Sequence, residues 1–356
     1  MLGKSSREHV KSALAEAGIA TAADESQLFN PQERILLVWE HAAGLSDKTL
    51  AVLAETGQNS IVLDTVGKIP LAAVVIPGTF PLSHTLLHAG EGAVQSLMSR
   101  MTEENALDGW AVVTPENQGE CLALLDAASY TALHGELRQR LAQRHMANGV
   151  ILLNPDNVII EADVRIGAGT IIYPGNLLQG QTVIGPGCTL YPNNRILNAA
   201  IGEETTVEGS VLLDCSVGRR ATVGPFAYLR PQTEVGDDCR VGDFVEIKNS
   251  SVGNGTKISH LTYVGDSDLG RNINLGCGVV FVNYDGKVKQ RSLVEDNAFI
   301  GCNCNLIAPV RVGEGAYIAA GSTVVEDVPQ NALYMARSRG SIKEGWVKRR
   351  KEQGKL

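Results

Sequence analysis

From Val158 to Val328 an aliphatic residue followed by a small one recurs about every six residues, and this repeat constrains the fold more than any other feature. Representative pairs are Ile184-Gly185, Val241-Gly242 and Ile300-Gly301. Such spacing suits a chain that turns a corner after each short strand, so that three strands close one triangular coil of about 18 residues. The pattern predicts a mainly β fold, a parallel β-helix of hexapeptide repeats with its aliphatic side chains stacked inside.

The composition agrees with a solenoid and excludes some functions. Aromatic residues make up 5% of the chain and 38 residues are glycine, as expected for an interior of small and β-branched side chains. A length of 356 residues predicts about two domains. The net charge of −8 argues against a general nucleic-acid binder.

The cysteines and the N-terminus indicate where the protein works. The seven cysteines are scattered without a CxxC motif, which predicts reduced thiols in a cytoplasmic protein. The opening residues, MLGKSSREHVKSALAEAG, predict an amphipathic helix and not a signal peptide. No run of about 20 apolar residues is present, so we expect no membrane span.

Four segments are predicted along the chain. Residues 1–127 form a small α/β domain, 128–156 a basic linker helix and the entry to the repeat, 157–330 the β-helix, and 331–356 a basic C-terminal arm. Within the first segment we expect helices at 8–17, 47–55 and 92–101, and strands at 34–39, 60–64 and 71–76.

Arg230 and Lys248 lie one full coil of the predicted β-helix apart in sequence. This spacing stacks them about 4.8 Å apart on neighbouring coils. Two like charges so placed repel one another unless an anion lies between them, so the pair is a candidate phosphate site. The alternative is two solvated basic side chains on an outer face.

His260 is the one histidine within the repeat segment. It lies just downstream of the cationic pair, which favours a chemical role over a packing or surface role. A single histidine cannot supply the several ligands of a zinc site, and His84 and His88 lack the rest of an HExxH motif, so no metal is predicted.

The six-residue rhythm fails between Val279 and Asn297, where the run FVNYDGKVKQRS intervenes. Its Asn-Tyr-Asp-Gly segment has turn chemistry and is followed by basic residues. The run is either a simple insertion or a loop that grips a substrate, and its closeness to His260 in sequence favours the second.

Residues from about Leu133 to Trp346 resemble the acetyltransferase half of the bifunctional GlmU family of bacterial glucosamine-1-phosphate acetyltransferases and N-acetylglucosamine-1-phosphate uridylyltransferases. The matching runs are long and in order: VGPFAYLRP (223–231), VGDFVEIKNS (241–250), SHLTYVGDSDLGRNINLGCG (259–278), VNYDGK (282–287) and AYIAAGSTVVEDVP (316–329). The resemblance implies that the β-helix is left-handed and that three chains assemble into a homotrimer.

The resemblance also implies roles for individual residues. His260 would be the general base that deprotonates the amine of glucosamine 1-phosphate, and Glu246 would orient it. Arg230, Lys248 and Tyr263 would bind the sugar phosphate, and Asn274 and Lys289 the amino sugar. The acetyl-CoA groove would be lined by Cys277, Asn283, Tyr284, Cys302, Ala320 and Arg337. Cys277 and Cys302 stand where some relatives have alanine and serine, so either their backbone or their thiols serve the site.

The front of the chain departs from the family. The family's uridylyltransferase domain opens with a glycine loop, LxxGxGTxM, and the nearest run here, AGEGA at 89–93, lacks its Thr-x-Met. Residues 36–53 faintly resemble the family's GDxPLxxxTL motif, but Glu40-His41 replaces the acidic metal ligand. We therefore expect a shortened, degenerate relative of the nucleotidyltransferase domain, without uridylyltransferase activity.

The leading hypothesis is a cytoplasmic, homotrimeric acetyltransferase that converts glucosamine 1-phosphate and acetyl-CoA into N-acetylglucosamine 1-phosphate for UDP-N-acetylglucosamine and cell-wall precursor synthesis. It would need neither a metal nor a nucleic acid. Three alternatives stay open: an acyl-CoA-dependent N-acyltransferase acting on another amino sugar phosphate, a bifunctional enzyme that also transfers uridylyl groups, and a non-catalytic scaffold.

Overall fold

The computed structural model describes residues 5–17, 19, 35–39, 42, 45–63, 70–75, 110–115, 122–123 and 126–356. The predicted helix at 92–101, the AGEGA run and the Glu40-His41 pair lie outside these residues. The chain divides into two compact units, one of 1–148 with 154–164 and one of 149–153 with 165–356.

In the first unit, four described strands form one sheet. Its order is β1–β3–β2–β4, with β1 at Ile35–Val38, β2 at Ser60–Leu63, β3 at Pro70–Val75 and β4 at Ala111–Val112. β3 is antiparallel to β1 and to β2, whereas β4 is parallel to β2. Buried side chains of Leu50, Leu53, Val62 and Leu71 form a core between the sheet and the helix α2 (Asp47–Glu55), as expected for a two-layer α/β unit.

The other helices of this unit begin at polar caps. α1 (Ser6–Glu16) begins two residues before its predicted start, because Ser5 and Glu8 form a capping box. α3 (Ala127–Ala147) begins after Asp126, whose carboxylate accepts a hydrogen bond from the Ser129 amide at 2.8 Å. A 3-10 turn at Pro155–Asn157 and the short strand β6 (Ile159–Ile160) complete the described elements of the unit.

The second unit is a left-handed parallel β-helix, which confirms the fold predicted from the six-residue repeat. Its strands form three parallel sheets, here called faces 1, 2 and 3. Face 1 contains β7 (Arg165–Ile166), β10 (Val183–Ile184), β13 (Ala200–Ile201), β16 (Cys215–Val217), β19 (Thr233–Val235), β22 (Ser250–Val252), β25 (Ser267–Leu269), β28 (Ser292–Val294) and β31 (Arg311–Val312). Face 2 contains β5 (Ile151–Leu152), β8 (Ile171–Ile172), β11 (Thr189–Leu190), β14 (Thr206–Val207), β17 (Thr222–Val223), β20 (Arg240–Asp243), β23 (Lys257–His260), β26 (Asn274–Leu275), β29 (Phe299–Ile300), β32 (Tyr317–Ile318) and β34 (Leu333–Tyr334). Face 3 contains β9 (Leu177–Gln179), β12 (Arg195–Leu197), β15 (Val211–Leu213), β18 (Tyr228–Leu229), β21 (Glu246–Lys248), β24 (Tyr263–Gly265), β27 (Val280–Val282), β30 (Asn305–Ile307) and β33 (Thr323–Val324).

Stacked aliphatic side chains hold the coils together. On face 2, Val223, Val241, Ile258, Leu275 and Ile300 lie in one buried column. Each contributes about 1.5–3 kcal/mol by leaving water. Because neighbouring coils are paired residue by residue, this column fixes which outward side chains lie next to each other.

The coils differ in length, and this shifts the register that a fixed spacing would give. Val241 pairs with Val223 on one side and with Ile258 on the other, so the second of these coils is shorter than the first by a single position. The coil that joins Ser267 to its partner Ser292 is much longer, because a loop at 283–291, within the predicted break between Val279 and Asn297, is inserted in it.

Face 2 ends at β34, which lies beyond the boundary predicted at position 330, and the chain then leads to helix α4 (Trp346–Glu352). Within the described part of the chain, no helix is long and apolar enough to cross a membrane.

Candidate active site

His260 is held by an aspartate of the preceding coil. It ends strand β23 and pairs in register with Asp243, which ends β20. The ring Nδ1 of His260 lies 2.5 Å from Oδ1 of Asp243. This contact lowers the pKa of Asp243 below its ordinary value. Because Nδ1 is directed at the carboxylate, Nε2 is the ring nitrogen that is free to contact a substrate. The His260 side chain is about half exposed, so a substrate can reach it.

The structure gives Glu246 a different partner from the one that the resemblance implied. Glu246 lies on β21 of face 3 in register with Tyr263, whereas His260 ends a strand of face 2. Its carboxylate instead accepts a hydrogen bond from Arg230 at 2.8 Å, which raises the pKa of Arg230. Glu246 therefore orients an arginine, and Asp243 takes the position beside His260.

Arg230, Lys248 and Lys289 form a cluster of positive charge on face 3. Leu229 pairs with Ile247, so Arg230 and Lys248 occupy equivalent positions on neighbouring coils, as their one-coil spacing predicted. The ammonium of Lys289, from the inserted loop, lowers the pKa of Lys248, and burial and Arg230 add to that effect. Three cations close together, with the pKa of Lys248 lowered by its neighbours, are typical of an anion site.

The buried carboxylate of Asp266 lies beneath this cluster. Burial alone would raise its pKa, but hydrogen bonds from Asn249 and Asn283 and the charges of Lys248 and Lys289 hold the pKa below its ordinary value. Asp266 is therefore an anion that anchors Asn283 in place and favours the protonated lysines.

Tyr263 and Asn283 approach each other closely over Gly265. A Cβ on Gly265 would overlap the Tyr263 hydroxyl and lie 2.8 Å from Nδ2 of Asn283, so a larger residue is excluded at this position. Because Gly265 pairs with Lys248, Tyr263 and Asn283 are brought to the edge of the cation cluster.

The inserted loop is fixed at its base and exposed at its tip. The Arg291 guanidinium forms a 2.6 Å ion pair with Asp268 and also donates to the Asn249 carbonyl. At the tip, Asp285 accepts hydrogen bonds from two following amides, and the hydroxyl of exposed Tyr284 donates to the Gly286 carbonyl. This anchoring holds the loop so that Lys289 lies beside Lys248.

A row of residues follows His260 along one corner of the β-helix, two positions beyond the paired aliphatics of face 2. Register places Asp243, His260, Cys277, Cys302 and Ala320 on five consecutive coils, and we call this row the corner column. Three of the six residues predicted to bind acetyl-CoA thus form one strip that begins at the predicted base.

Two further predicted residues, Arg337 and Asn274, lie outside the corner column. The Arg337 side chain lies beside Gly321, the residue after Ala320. Asn274 faces outward on face 2 between Lys257 and Phe299, around the corner from the cation cluster.

Sequence reasoning missed Asp243, Asp266 and Asn249. Asp243 precedes His260 by one coil of the shorter kind, so the spacing rule applied to Arg230 and Lys248 would have found it once both coil lengths were allowed. Asp266 and Asn249, each at a coil corner, also lie 17 residues apart and form a hydrogen bond. Among the described residues, no group of three or more His, Cys, Asp or Glu side chains is placed to hold a metal ion.

Comparison with known proteins agrees with this geometry. The profile of the bacterial transferase hexapeptide family, of six repeats, matches residues 214–249 and 291–325. The bifunctional protein GlmU of Clostridium acetobutylicum is 48% identical over 258 residues, which are 72% of this chain and 56% of that protein. The bifunctional protein GlmU of Clostridioides difficile is 52% identical over 217 residues, 61% of this chain and 47% of that protein. The chain spans about half the length of these curated relatives.

Among solved structures, the UDP-N-acetylglucosamine acyltransferase of Arabidopsis is 17% identical with a TM-score of 0.36, over 58% of this chain and 76% of that one. Similarity at this level is too low to bear on function.

The fold and the matched repeats define the class of hexapeptide-repeat transferases. Within that class, the C-terminal part of the chain is similar to GlmU, which confirms the resemblance to the acetyltransferase half of that family.

Proposed function

We propose that the chain transfers the acetyl group of acetyl-CoA to the amine of glucosamine 1-phosphate, giving N-acetylglucosamine 1-phosphate for UDP-N-acetylglucosamine and cell-wall precursor synthesis. One observation carries the proposal: a carboxylate-held histidine lies one corner away from a cluster of three cations. An amino sugar phosphate needs both, a base for its amine and a cradle for its phosphate.

His260 is the general base. The substrate amine is an ammonium ion near neutral pH and must lose a proton before it can attack a thioester. With Nδ1–H donated to Asp243, the lone pair of Nε2 accepts that proton. Asp243 acts as a positioning residue that fixes the ring and stabilises the imidazolium, as the carboxylate does in a Ser-His-Asp triad.

Arg230 and Lys248 bind the phosphate, with Tyr263 beside them. Charge-assisted hydrogen bonds to phosphate are the strong ones, and Glu246 holds the Arg230 guanidinium in one orientation. Lys289 adds its charge from the inserted loop, and Lys289 and Asn274 contact the amino sugar.

Acetyl-CoA lies along the corner column. Cys277, Cys302 and Ala320 lead away from His260 along consecutive coils, so a thioester at the His260 end continues as an extended arm over the other three. Asn283 and Tyr284 border the strip, and Arg337 and the basic residues after it bind the phosphates of the coenzyme.

The active form is a homotrimer in which a neighbouring chain packs against the row of apolar residues next to this corner. Phe226, Phe244 and Leu261, next to the corner column, are each more than half exposed and have left-handed backbones, with φ of 60°, 54° and 45°. The rings of Phe226 and Phe244 stack at 5.5 Å. Large apolar residues in this conformation are strained, and strained, exposed apolar residues beside a site favour a partner surface.

One assay tests the proposal. The purified chain is incubated with glucosamine 1-phosphate, acetyl-CoA and UTP, and acetylated sugar phosphate and UDP-sugar are measured separately. Acetylation of glucosamine 1-phosphate at a rate well above that of other amino sugar phosphates supports the proposal. Acetylation of none of them contradicts it.

A further inference from the structure

Two cysteines are stacked on neighbouring coils within the corner column. Leu275 pairs with Ile300, so Cys277 and Cys302, two residues further on, occupy equivalent positions. The coils are locked together at this point, since the Asn303 amide donates to the Cys277 carbonyl at 2.8 Å. Cys302 is exposed and Cys277 is partly exposed, and both are free thiols.

Side chains at this position of the coil contact each other elsewhere in the same chain. Arg219 and Asp237 stand two residues beyond a paired aliphatic on neighbouring coils, and their side chains form a 2.9 Å ion pair. Asp243 and His260, lower in the corner column, are 2.5 Å apart. Equivalent residues at this position therefore point the same way from neighbouring coils.

The spacing of the coils also suits a disulfide. Paired residues on neighbouring parallel strands have Cα atoms about 4.8 Å apart. Disulfides join Cα atoms separated by roughly 4.4–6.8 Å. The separation lies within that range, so a disulfide between paired positions needs no large movement of the backbone.

The other described cysteines are unsuited to oxidation. Cys188, Cys215, Cys239 and Cys304 are buried. Burial raises the pKa of each thiol, that of Cys215 to about 12. Cys304, two residues from Cys302, directs its sulfur toward the Ala319 carbonyl at 3.3 Å. The thiolate is the reactive form, so oxidation is directed to the exposed pair.

We propose that Cys277 and Cys302 form a peroxide-sensitive modification site that joins them as a disulfide across two coils. The exposed Cys302 thiol attacks the O–O bond of hydrogen peroxide, becoming a sulfenic acid and releasing one water. The Cys277 thiol then attacks that sulfur, and the second water leaves. Two thiols thus give up two electrons and two protons, and one peroxide becomes two water molecules.

The consequence rests on the proposed function. If acetyl-CoA lies along the corner column, the disulfide draws together two side chains that line the strip just beyond His260. We expect oxidation to weaken acetyl-CoA binding at least about tenfold, or about 1.4 kcal/mol, and a thiol reductant to restore it.

Peptide mapping tests the bond without any assay of activity. The reduced full chain is treated with hydrogen peroxide, alkylated and digested with trypsin, which separates Cys277 from Cys302 at Lys287, Lys289 and Arg291. A linked pair of peptides, 272–287 with 292–311, that has lost one hydrogen molecule and carries the alkyl group on Cys304 supports the proposal. A Cys302–Cys304 bond within one peptide, or oxidation of other cysteines first, overturns it.

Binding measurements test the consequence. Acetyl-CoA affinity is measured by calorimetry before and after peroxide for the wild type, for Cys277→Ala and for Cys302→Ser, and each protein is compared with its own reduced form. The wild type should lose affinity reversibly and the variants should not. A linked wild type with unchanged affinity overturns the regulatory effect, whereas a reduced protein that binds no acetyl-CoA contradicts the proposed function and leaves the disulfide standing on the mapping.

Discussion

Nδ1 of His260 lies 2.5 Å from Oδ1 of Asp243, and the two residues are register partners on neighbouring coils. The β-helix thus builds a base and its positioning group from one column of the sheet, without any contribution from a loop. The same stacking places Arg230 beside Lys248 and Cys277 beside Cys302. Adjacency across coils is the means by which this fold assembles a site.

Replacing His260 with Ala should lower kcat for acetyl transfer by about 10²–10⁴-fold, the usual contribution of a general base. Asp243→Asn keeps an acceptor for Nδ1–H and should lose less than Asp243→Leu, which removes it. Steady-state kinetics should show both Asp243 changes in kcat more than in KM. Asp237→Asn, which breaks an equivalent pair at another corner, serves as the control and should leave kcat unchanged. A His260→Ala enzyme with more than a third of the wild-type turnover would remove His260 from the mechanism.

The repeat predicted the fold because few folds place an aliphatic residue inside at every sixth position, and a coil closed by three short strands does so. The repeat also predicted that two residues one 18-residue coil apart, such as Arg230 and Lys248, are neighbours. It missed Asp243 because coils of two lengths follow one another irregularly, so that one fixed spacing fails. The resemblance gave Glu246 the role of orienting His260. The structure places the two residues on strands of different faces, which the sequence spacing alone does not show.

Arg230→Ala or Lys248→Ala should raise the KM for glucosamine 1-phosphate about tenfold to a hundredfold. Each change removes a charge-assisted hydrogen bond to phosphate worth about 1.5–3 kcal/mol. Unphosphorylated glucosamine should be a poor substrate and should be less affected by either change. Arg219→Ala, an exposed arginine on another corner, is the matched control. Normal handling of the phosphorylated sugar by both variants would exclude the anion site.

Lys289 should govern how substrate binding depends on alkaline pH. The Lys289 ammonium lowers the pKa of Lys248, so Lys248 loses its charge at a lower pH than an ordinary lysine, whose pKa is about 10.4. The KM for glucosamine 1-phosphate should therefore begin to rise below that range. Lys289→Gln removes the largest cause of the shift and should move the midpoint of this rise to higher pH. Lys287→Gln, in the same loop, should leave the midpoint in place, and an identical midpoint in the two variants would contradict the coupling.

The exposed apolar row of Phe226, Phe244 and Leu261 should be required for assembly. Phe244→Ser should lower the fraction of trimer measured by light scattering, and acetyl transfer should fall with it because the neighbouring chain borders the site. Val325→Ser changes an exposed valine away from this row and should leave the trimer intact. An unchanged molecular mass for the Phe244→Ser protein would show that another surface holds the chains together.

The front of the chain should not transfer uridylyl groups. That reaction needs a backbone cradle for the phosphates of UTP and carboxylates that hold Mg²⁺ against them. The sequence of segment 1–127 contains no LxxGxGTxM loop, and Glu40-His41 stands where the related motif has its acidic ligand. We expect no UDP-N-acetylglucosamine from UTP and N-acetylglucosamine 1-phosphate with Mg²⁺ present. Deleting residues 1–105 should leave acetyl transfer largely intact, because every residue assigned to it lies beyond Leu229. Robust UDP-sugar synthesis by the purified chain would restore the bifunctional assignment.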